Sequence, residues 1–174
     1  MQDAQSEKQT GIQFYYAADA APSLEESGML TFTSGGAVAD DGFGAMKQTG
    51  YDEGLQTKLL FKSDTMSLIY AWFKSDFPLP LHSHNCDCLY HVVAGSVKVG
   101  SRELFAGDGF VVPAGVPYRH RAGADGLELL EFRTTADFDI KMLAKTAKAW
   151  SDICDTLVSS GERWRAEPPP SRTN

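Results

Sequence analysis

Residues 78–121 read PLPLHSHNCDCLYHVVAGSVKVG and then SRELFAGDGFVVPAGVPYRHR. All four histidines of the chain (His82, His84, His91 and His120) and two of its three cysteines (Cys86 and Cys88) fall in this stretch. Side chains that ligate metals are seldom so concentrated without a shared purpose. The stretch is also punctuated by glycine and proline between short apolar runs, the pattern of closely spaced strands and turns. Its reading therefore carries both the fold and the candidate site.

Strand periodicity sorts the side chains. Residues i and i+2 of a strand share a face, so His82 and His84 present two imidazoles side by side. Cys88 and Tyr90 continue that parity if the turn at 85–87 preserves it. Tyr118 and His120 share a face in the second half. By the same count His91, Arg119 and Arg121 point away, and Asp87 reads as a turn residue.

Outward from this centre the apolar runs at 55–61 and 66–73 read as strands joined by a turn at 62–65. Further strands are expected at 89–93, 97–99, 110–112, 118–121 and 127–133. Short strands at this spacing point to an all-β sandwich or barrel. The pocket candidates are aromatic: Tyr70, Trp72, Phe77, Tyr90, Phe110, Tyr118 and Phe132. Both faces of 66–73 are apolar, so its inward parity stays open.

The flanks are less patterned. Residues 13–16 and 29–33 read as possible strands, 22–27 as a loop or a short turn of helix, and 34–44 (SGGAVADDGFG) as a loop. After Thr135 the period changes. Leu143, Ala147, Trp150, Cys154 and Leu157 recur at helical spacing, which predicts an amphipathic helix over about 138–159 closed by Gly161. The expected organisation is a disordered 1–11, a barrel over 12–135, a helix over 136–162 packed on the barrel or on a second copy, and a flexible tail over 163–174.

Bulk properties narrow the function. The 174 residues suit one domain. The net charge of −7 argues against polyanions as partners, so nucleic acid is not expected. No apolar run approaches the roughly 20 residues of a membrane helix, and the polar start lacks a signal-peptide core. A cytoplasmic protein with free thiols is the expectation. Phosphate loops and a nucleophile elbow are absent from the sequence.

The two halves of the 78–121 stretch resemble the paired motifs of the cupin superfamily. The first motif is matched by His82, Ser83, His84, then NCD, then Cys88 where the family has glutamate, then LYHVVA and Gly95. The second is matched by Gly107, DGFVV, Pro113, Ala114, Gly115, VP, then Tyr118 where the family has histidine. The resemblance covers roughly residues 55–135. It implies an all-β, double-stranded β-helix (jelly-roll) barrel, here with a C-terminal amphipathic helix, and a site in the barrel mouth.

The resemblance also implies a divalent metal, Fe²⁺ or Zn²⁺ first and Ni²⁺, Cu²⁺ or Mn²⁺ as alternatives. The expected ligands are His82, His84, Cys88 and His120, with His120 standing in for the missing third imidazole. Tyr118 and Tyr90 are the expected acid/base groups. The expected activity is that of a metal-dependent enzyme on a small organic molecule, a dioxygenase, lyase or isomerase. The alternative is a non-catalytic binder of small molecules whose metal is lost or structural. A homodimer is expected from family habit and from the apolar stripe of the C-terminal helix.

Overall fold

A computed structural model describes residues 11–20, 24 and 27–172; the disorder expected over 1–11 lies outside the described residues except at Gly11. Nine strands and three α-helices are described. In chain order they are β1 (Leu30–Thr33), α1 (Ala37–Gln48), α2 (Tyr51–Gly54), β2 (Leu55–Lys62), β3 (Ser67–Phe73) and β4 (Pro78–Ser83). Then come β5 (Cys88–Val99), β6 (Arg102–Phe105), β7 (Gly109–Val112), β8 (Tyr118–Arg133), β9 (Phe138–Met142) and α3 (Ala147–Ala166). A 3₁₀ turn follows at Pro170–Arg172. Among the described residues no helix is long and apolar enough to cross a membrane.

The curled sheet runs β1-β9-β4-β8-β3-β2, and β5 joins it through β8 while also pairing β6 and β7. The long β8 is the spine. Its first half pairs β4, placing Tyr118 opposite His82, and its second half pairs β3. β5 pairs β8 along both halves, with register shifts between Val92 and Ala94 and between Gly95 and Val97. The pairs His91/Gly109 and Cys88/Val112 add β7 to the other edge of β5. The structure thus bears out the all-β jelly-roll barrel with a C-terminal helix.

Inward and outward faces follow the expected alternation where the strands are regular. Cys88, Tyr90 and Val92 are buried while Leu89, His91 and Val93 are exposed. Tyr118, His120 and Ala122 are buried while Arg119 and Arg121 are exposed. On β3 the buried set includes Ser67, Ile69, Ala71 and Phe73, which settles the parity that the sequence left open. The run at 102–105 is a strand that the pattern did not announce, and residues 13–16 form none.

Three departures have physical causes. Residues 37–48 form a helix where the Gly- and Asp-rich text reads as a loop. Asp40 in its first turn accepts hydrogen bonds from the Ser34 hydroxyl (2.5 Å) and the Gly35 amide (3.0 Å), and these bonds hold its carboxyl below the usual range. Gly42 is needed for packing: a Cβ there would lie 2.2 Å from the Trp150 ring of α3.

Residues 138–142 form β9, so the helix begins only at Ala147, capped by Thr146, whose hydroxyl accepts from the Ala149 amide at 3.2 Å. The alternation Phe138, Ile140 and Met142 (all buried) is the strand signal that the helical stripe obscured. Nor does the helix stop at Gly161. That glycine marks a close approach, since a Cβ would meet a Glu53 oxygen at 2.8 Å, and α3 continues to Ala166.

The described part of the expected tail is packed. Trp164 is fully buried, donates from Nε1 to the Ser75 carbonyl (2.8 Å) and lies 5.6 Å from the Phe77 ring. The Glu167 carboxylate accepts from the Ser75 amide (2.7 Å) and hydroxyl (2.5 Å). Lys74, itself buried, donates to the Trp164 and Glu167 carbonyls at 2.9 and 2.7 Å. The C-terminal segment thereby fastens the β3–β4 turn, the segment that leads into the histidine-bearing strand.

Candidate functional site

The sheet encloses a cavity of about 600 Å³. His82, His84, His120, Tyr90 and Tyr118 all line it, so the histidines predicted from the sequence do converge with both tyrosines on one wall. Leu30, Leu55, Phe73, Leu79 and Ile140 supply apolar surface, and the exposed Asp52 and Lys58 stand at the rim. Of the aromatic residues expected from the sequence, only Tyr90 and Tyr118 line the cavity. Tyr51, Phe73 and Phe138 take the places expected for Tyr70, Trp72, Phe77, Phe110 and Phe132.

Backbone partners orient two imidazoles. Pro80 cannot donate to the ladder, and the register of β4 on β8 shifts between Leu79 and His82. The Pro80 carbonyl takes the His82 Nδ1–H at 2.7 Å. The His82 Nε2 is then an acceptor that is buried without a hydrogen-bond partner. His84 follows the strand end and gives its Nδ1–H to the Asp139 carbonyl of β9 at 2.5 Å. Asn85 locks that junction, donating its amide to Asp139 Oδ1 (2.8 Å) and accepting the Asp139 amide on its side-chain oxygen (3.0 Å). The two rings stand 5.1 Å apart at 77°.

His120 sits on β8 beyond Tyr118. Its ring meets the Phe73 edge at 4.9 Å, and its Nδ1 is buried without a partner. Burial pushes all three imidazoles below the ordinary value for histidine: His82 to about 4, His84 to about 2 and His120 to about 3. Arg133 nearby adds to the depression at His84 and His82. The three rings are neutral near pH 7 and offer lone pairs.

Tyr118 packs at a tilt against His82, His84 and Tyr90. Its ring lies 4.2 Å from His82, and its hydroxyl is hydrogen-bonded to the Tyr90 hydroxyl. Burial raises both phenols, so both stay protonated. Cys88 is buried and does not line the cavity. Its sulfur lies 3.9 Å from that of Cys86, and the contact with Cys86 and the Arg133 guanidinium lower its thiol to about 7. Asp87 is a turn residue as expected, accepting the Ala114 amide at 2.8 Å.

Sequence reasoning missed Arg133 and Glu131. Both line the cavity, and Arg133 Nη1 donates to Glu131 Oε2 at 2.8 Å. β8 changes parity across residues 123–126, where Gly126 has φ +84°, so Leu127, Leu129, Glu131 and Arg133 are buried in phase where the even-numbered Tyr118, His120 and Ala122 were. Pairing across the sheet sets Glu131 opposite Tyr90 and Arg133 opposite Cys88. The available signal was the pair Glu131 and Arg133 in phase with Leu127 and Leu129, the third charge of the segment, Glu128, lying out of phase with them. Burial opposes the charge of Arg133, but the Glu131 carboxylate beside it outweighs that and keeps the guanidinium protonated.

Whether these residues suit a divalent ion is answered by their donor chemistry. Neutral imidazoles whose second nitrogen is fixed by a backbone carbonyl are what such ions take. His82 and His84 meet that description, and the orphaned His120 nitrogen is on the same wall. Among the described residues no three His, Cys, Asp or Glu side chains are grouped closely enough to hold an ion in the arrangement as it stands. The fit is therefore that of a two-histidine pair with a third imidazole nearby.

Comparison with known proteins places the fold. No family model matches the chain, and no curated protein matches it. Among solved structures, the polyketide cyclase RemF from Streptomyces resistomycificus aligns over 62% of this chain and 83% of its own, at 14% identity and a TM-score of 0.51. An RmlC-like cupin from Shewanella frigidimarina aligns over 48% of this chain and 78% of its own, at 26% identity and a TM-score of 0.44. A cupin superfamily protein from Desulfitobacterium hafniense aligns over 47% and 77%, at 19% identity and a TM-score of 0.42.

Proposed function

We propose, for a chain that is a cupin by fold, that the cavity is a reaction site for a small organic molecule, served by a divalent ion on His82 and His84 with His120 as third imidazole. One observation carries this reading: three neutral imidazoles line one cavity, and His82 Nε2 and His120 Nδ1 are buried there with no partner. Leaving such atoms unsatisfied costs about 1–3 kcal/mol each, which a bound ion or ligand offsets. Iron(II) and zinc(II) are the ions this donor set suits best.

An ion held there would supply Lewis-acid polarisation of a substrate oxygen. The chain's own groups do the rest. Apolar side chains exclude water and take up the body of the substrate. Tyr118 and Tyr90 form a protonated pair in which one hydroxyl donates to the other. The hydroxyl proton not used in that bond is a hydrogen-bond donor or general acid toward a substrate oxygen. Cys88 stands outside the cavity and is assigned no ligand role. Dioxygenation, lyase and isomerase chemistry are all compatible with a site of this composition.

The loose spacing of the three imidazoles favours one second reading, a barrel that binds a small molecule without an ion. Metal analysis of the purified protein separates the two. The metal-dependent reading expects bound metal that a His82→Ala/His84→Ala variant lacks, and metal-free wild-type protein purified without chelator sinks it. Iron then calls for dioxygen-uptake assays with thiols, diketones and phenolic acids, and zinc for lyase and isomerase assays.

A further inference from the structure

The group in the cavity that the proposed chemistry does not use is Arg133. It is 3% exposed, it lines the cavity, and only one of its guanidinium contacts is with an anion, the 2.8 Å bond from Nη1 to Glu131. Its Nε–H is buried and has no hydrogen-bond partner. The guanidinium lies over the Phe138 ring, 3.9 Å from the centroid, and 6.0 Å from that of Tyr90. Stacking on one face and the Glu131 bond on one edge fix the plane of the group. The Nε edge is left as a charged donor in a water-poor apolar chamber.

From this geometry we infer that Arg133 anchors the carboxylate of the substrate, which makes the ligand of this cavity a small organic acid with an apolar body. The inference rests on the reading of the cavity as the reaction site. A guanidinium edge matches a carboxylate with two parallel N–H···O bonds, a pairing about twice as strong as a neutral hydrogen bond. Net charge does not oppose this. The three imidazoles are neutral, and Glu131 balances the charge of Arg133 through Nη1, so the unpartnered Nε–H rather than a net potential selects the anion. The exposed Lys58 and Asp52 at the rim offset each other. Leu30, Leu55, Phe73 and Ile140 leave the remaining wall suited to hydrocarbon or a ring.

The test compares isosteric acids and amides by titration calorimetry on chelator-treated protein: benzoate against benzamide, and hexanoate against hexanamide, with inorganic phosphate as a competitor. Arg133→Met alone strands Glu131, so the variant of choice is Arg133→Met/Glu131→Leu, which removes both charges together. Near-ultraviolet circular dichroism shows that it is folded. The wild type is expected to prefer at least one acid over its amide by about tenfold or more, and the double variant to lose that preference. Loss of Glu131 on its own removes repulsion and favours anions, so a lost preference reports on Arg133.

Equal binding of acid and amide by the wild type, no binding of either acid, or a preference retained in the double variant overturns the inference. Tight phosphate binding that displaces the acids overturns the assignment to carboxylates. Chelated protein isolates this result from the metal question. A carboxylate preference in protein that binds no metal would leave Arg133 as the anchor and remove the metal reading alone. Bound metal without a carboxylate preference would do the reverse.

Discussion

Arg133 and Glu131 form the one buried ion pair of the cavity wall, and a double-mutant cycle on them has a definite expected form. Their side chains are 3% and 8% exposed, with a nitrogen–oxygen separation of 2.8 Å. At an effective dielectric of about 20 the attraction is about 6 kcal/mol, of the same order as the cost of desolvating the two ions. The pair as a whole therefore contributes little net stability, while either ion alone is costly. Arg133→Met is expected to destabilise by about 3–5 kcal/mol, because Glu131 stays buried without its counter-ion. Glu131→Leu is expected to cost a similar amount, about 3–5 kcal/mol, because Arg133 then stays buried with its charge uncompensated. Arg133→Met/Glu131→Leu is expected to lie within about 2 kcal/mol of the wild type. Urea unfolding, followed by the fluorescence of the buried Trp72, Trp150 and Trp164, measures all four corners of the cycle. Single-variant losses below about 1 kcal/mol that simply add in the double variant would refute the buried-pair account.

Other outcomes are equally specific. The folded chain holds His82, His84 and His120 with values of about 4, 2 and 3, below the roughly 6.5 of an unfolded histidine, so the unfolded state binds more protons below pH 6.5. Stability is thus fully present above that pH and falls on acidification; for three such groups the loss from pH 6.5 to 5.5 is about 3 kcal/mol, measurable in urea with chelator present. Trp164→Ala is expected to cost about 3–5 kcal/mol, because a fully buried indole leaves a cavity and frees the Ser75 carbonyl, and a negligible shift in the urea midpoint would show the C-terminal segment to be unpacked. Gly95 has φ +73°, and a Cβ there would lie 2.1 Å from the Gly126 carbonyl oxygen. Gly95→Ala is accordingly expected to cost at least about 2 kcal/mol, and a wild-type melting temperature would contradict the close approach of β5 to β8.

The barrel was legible because apolar and polar residues alternate over each local run and glycines of constrained spacing punctuate the chain, although β5 and β8 turn out to be long strands with shifts in step. Gly115 adopts positive φ at a turn whose amide bonds the His84 carbonyl, and Gly95, expected as a turn, adopts positive φ inside β5 at its register shift against β8. The convergence of His82, His84, His120, Tyr90 and Tyr118 followed from counting by two along strands that stay regular. Residues 118–121 and 127–133 were expected as two strands, whereas they form one β8 that changes parity between them, and so Glu131 and Arg133 escaped notice. Counting also carried Cys88 onto the buried face without showing that it does not line the cavity.

The β9 strand was hidden because Leu143 and Ala147 extend the helical period backwards into it. That error concealed the Asp139 carbonyl, which orients His84. Likewise α1, which carries Asp40, Asp41, Gly42 and Gly44, is stabilised by the bonds of Asp40 to Ser34 and Gly35 ahead of the helix and by packing on Trp150, which the local pattern does not announce.

The central claim is that the three imidazoles on the cavity wall serve a bound divalent ion. The most direct measurement is metal stoichiometry after loading with iron(II) or zinc(II) and exhaustive dialysis. Wild type, Cys88→Ala and His82→Ala/His84→Ala should be compared, each shown to be folded by circular dichroism. The account predicts about one ion per chain in the wild type and in Cys88→Ala, and essentially none in the double-histidine variant. No ion in the wild type, or an equal content in the double-histidine variant, would contradict it.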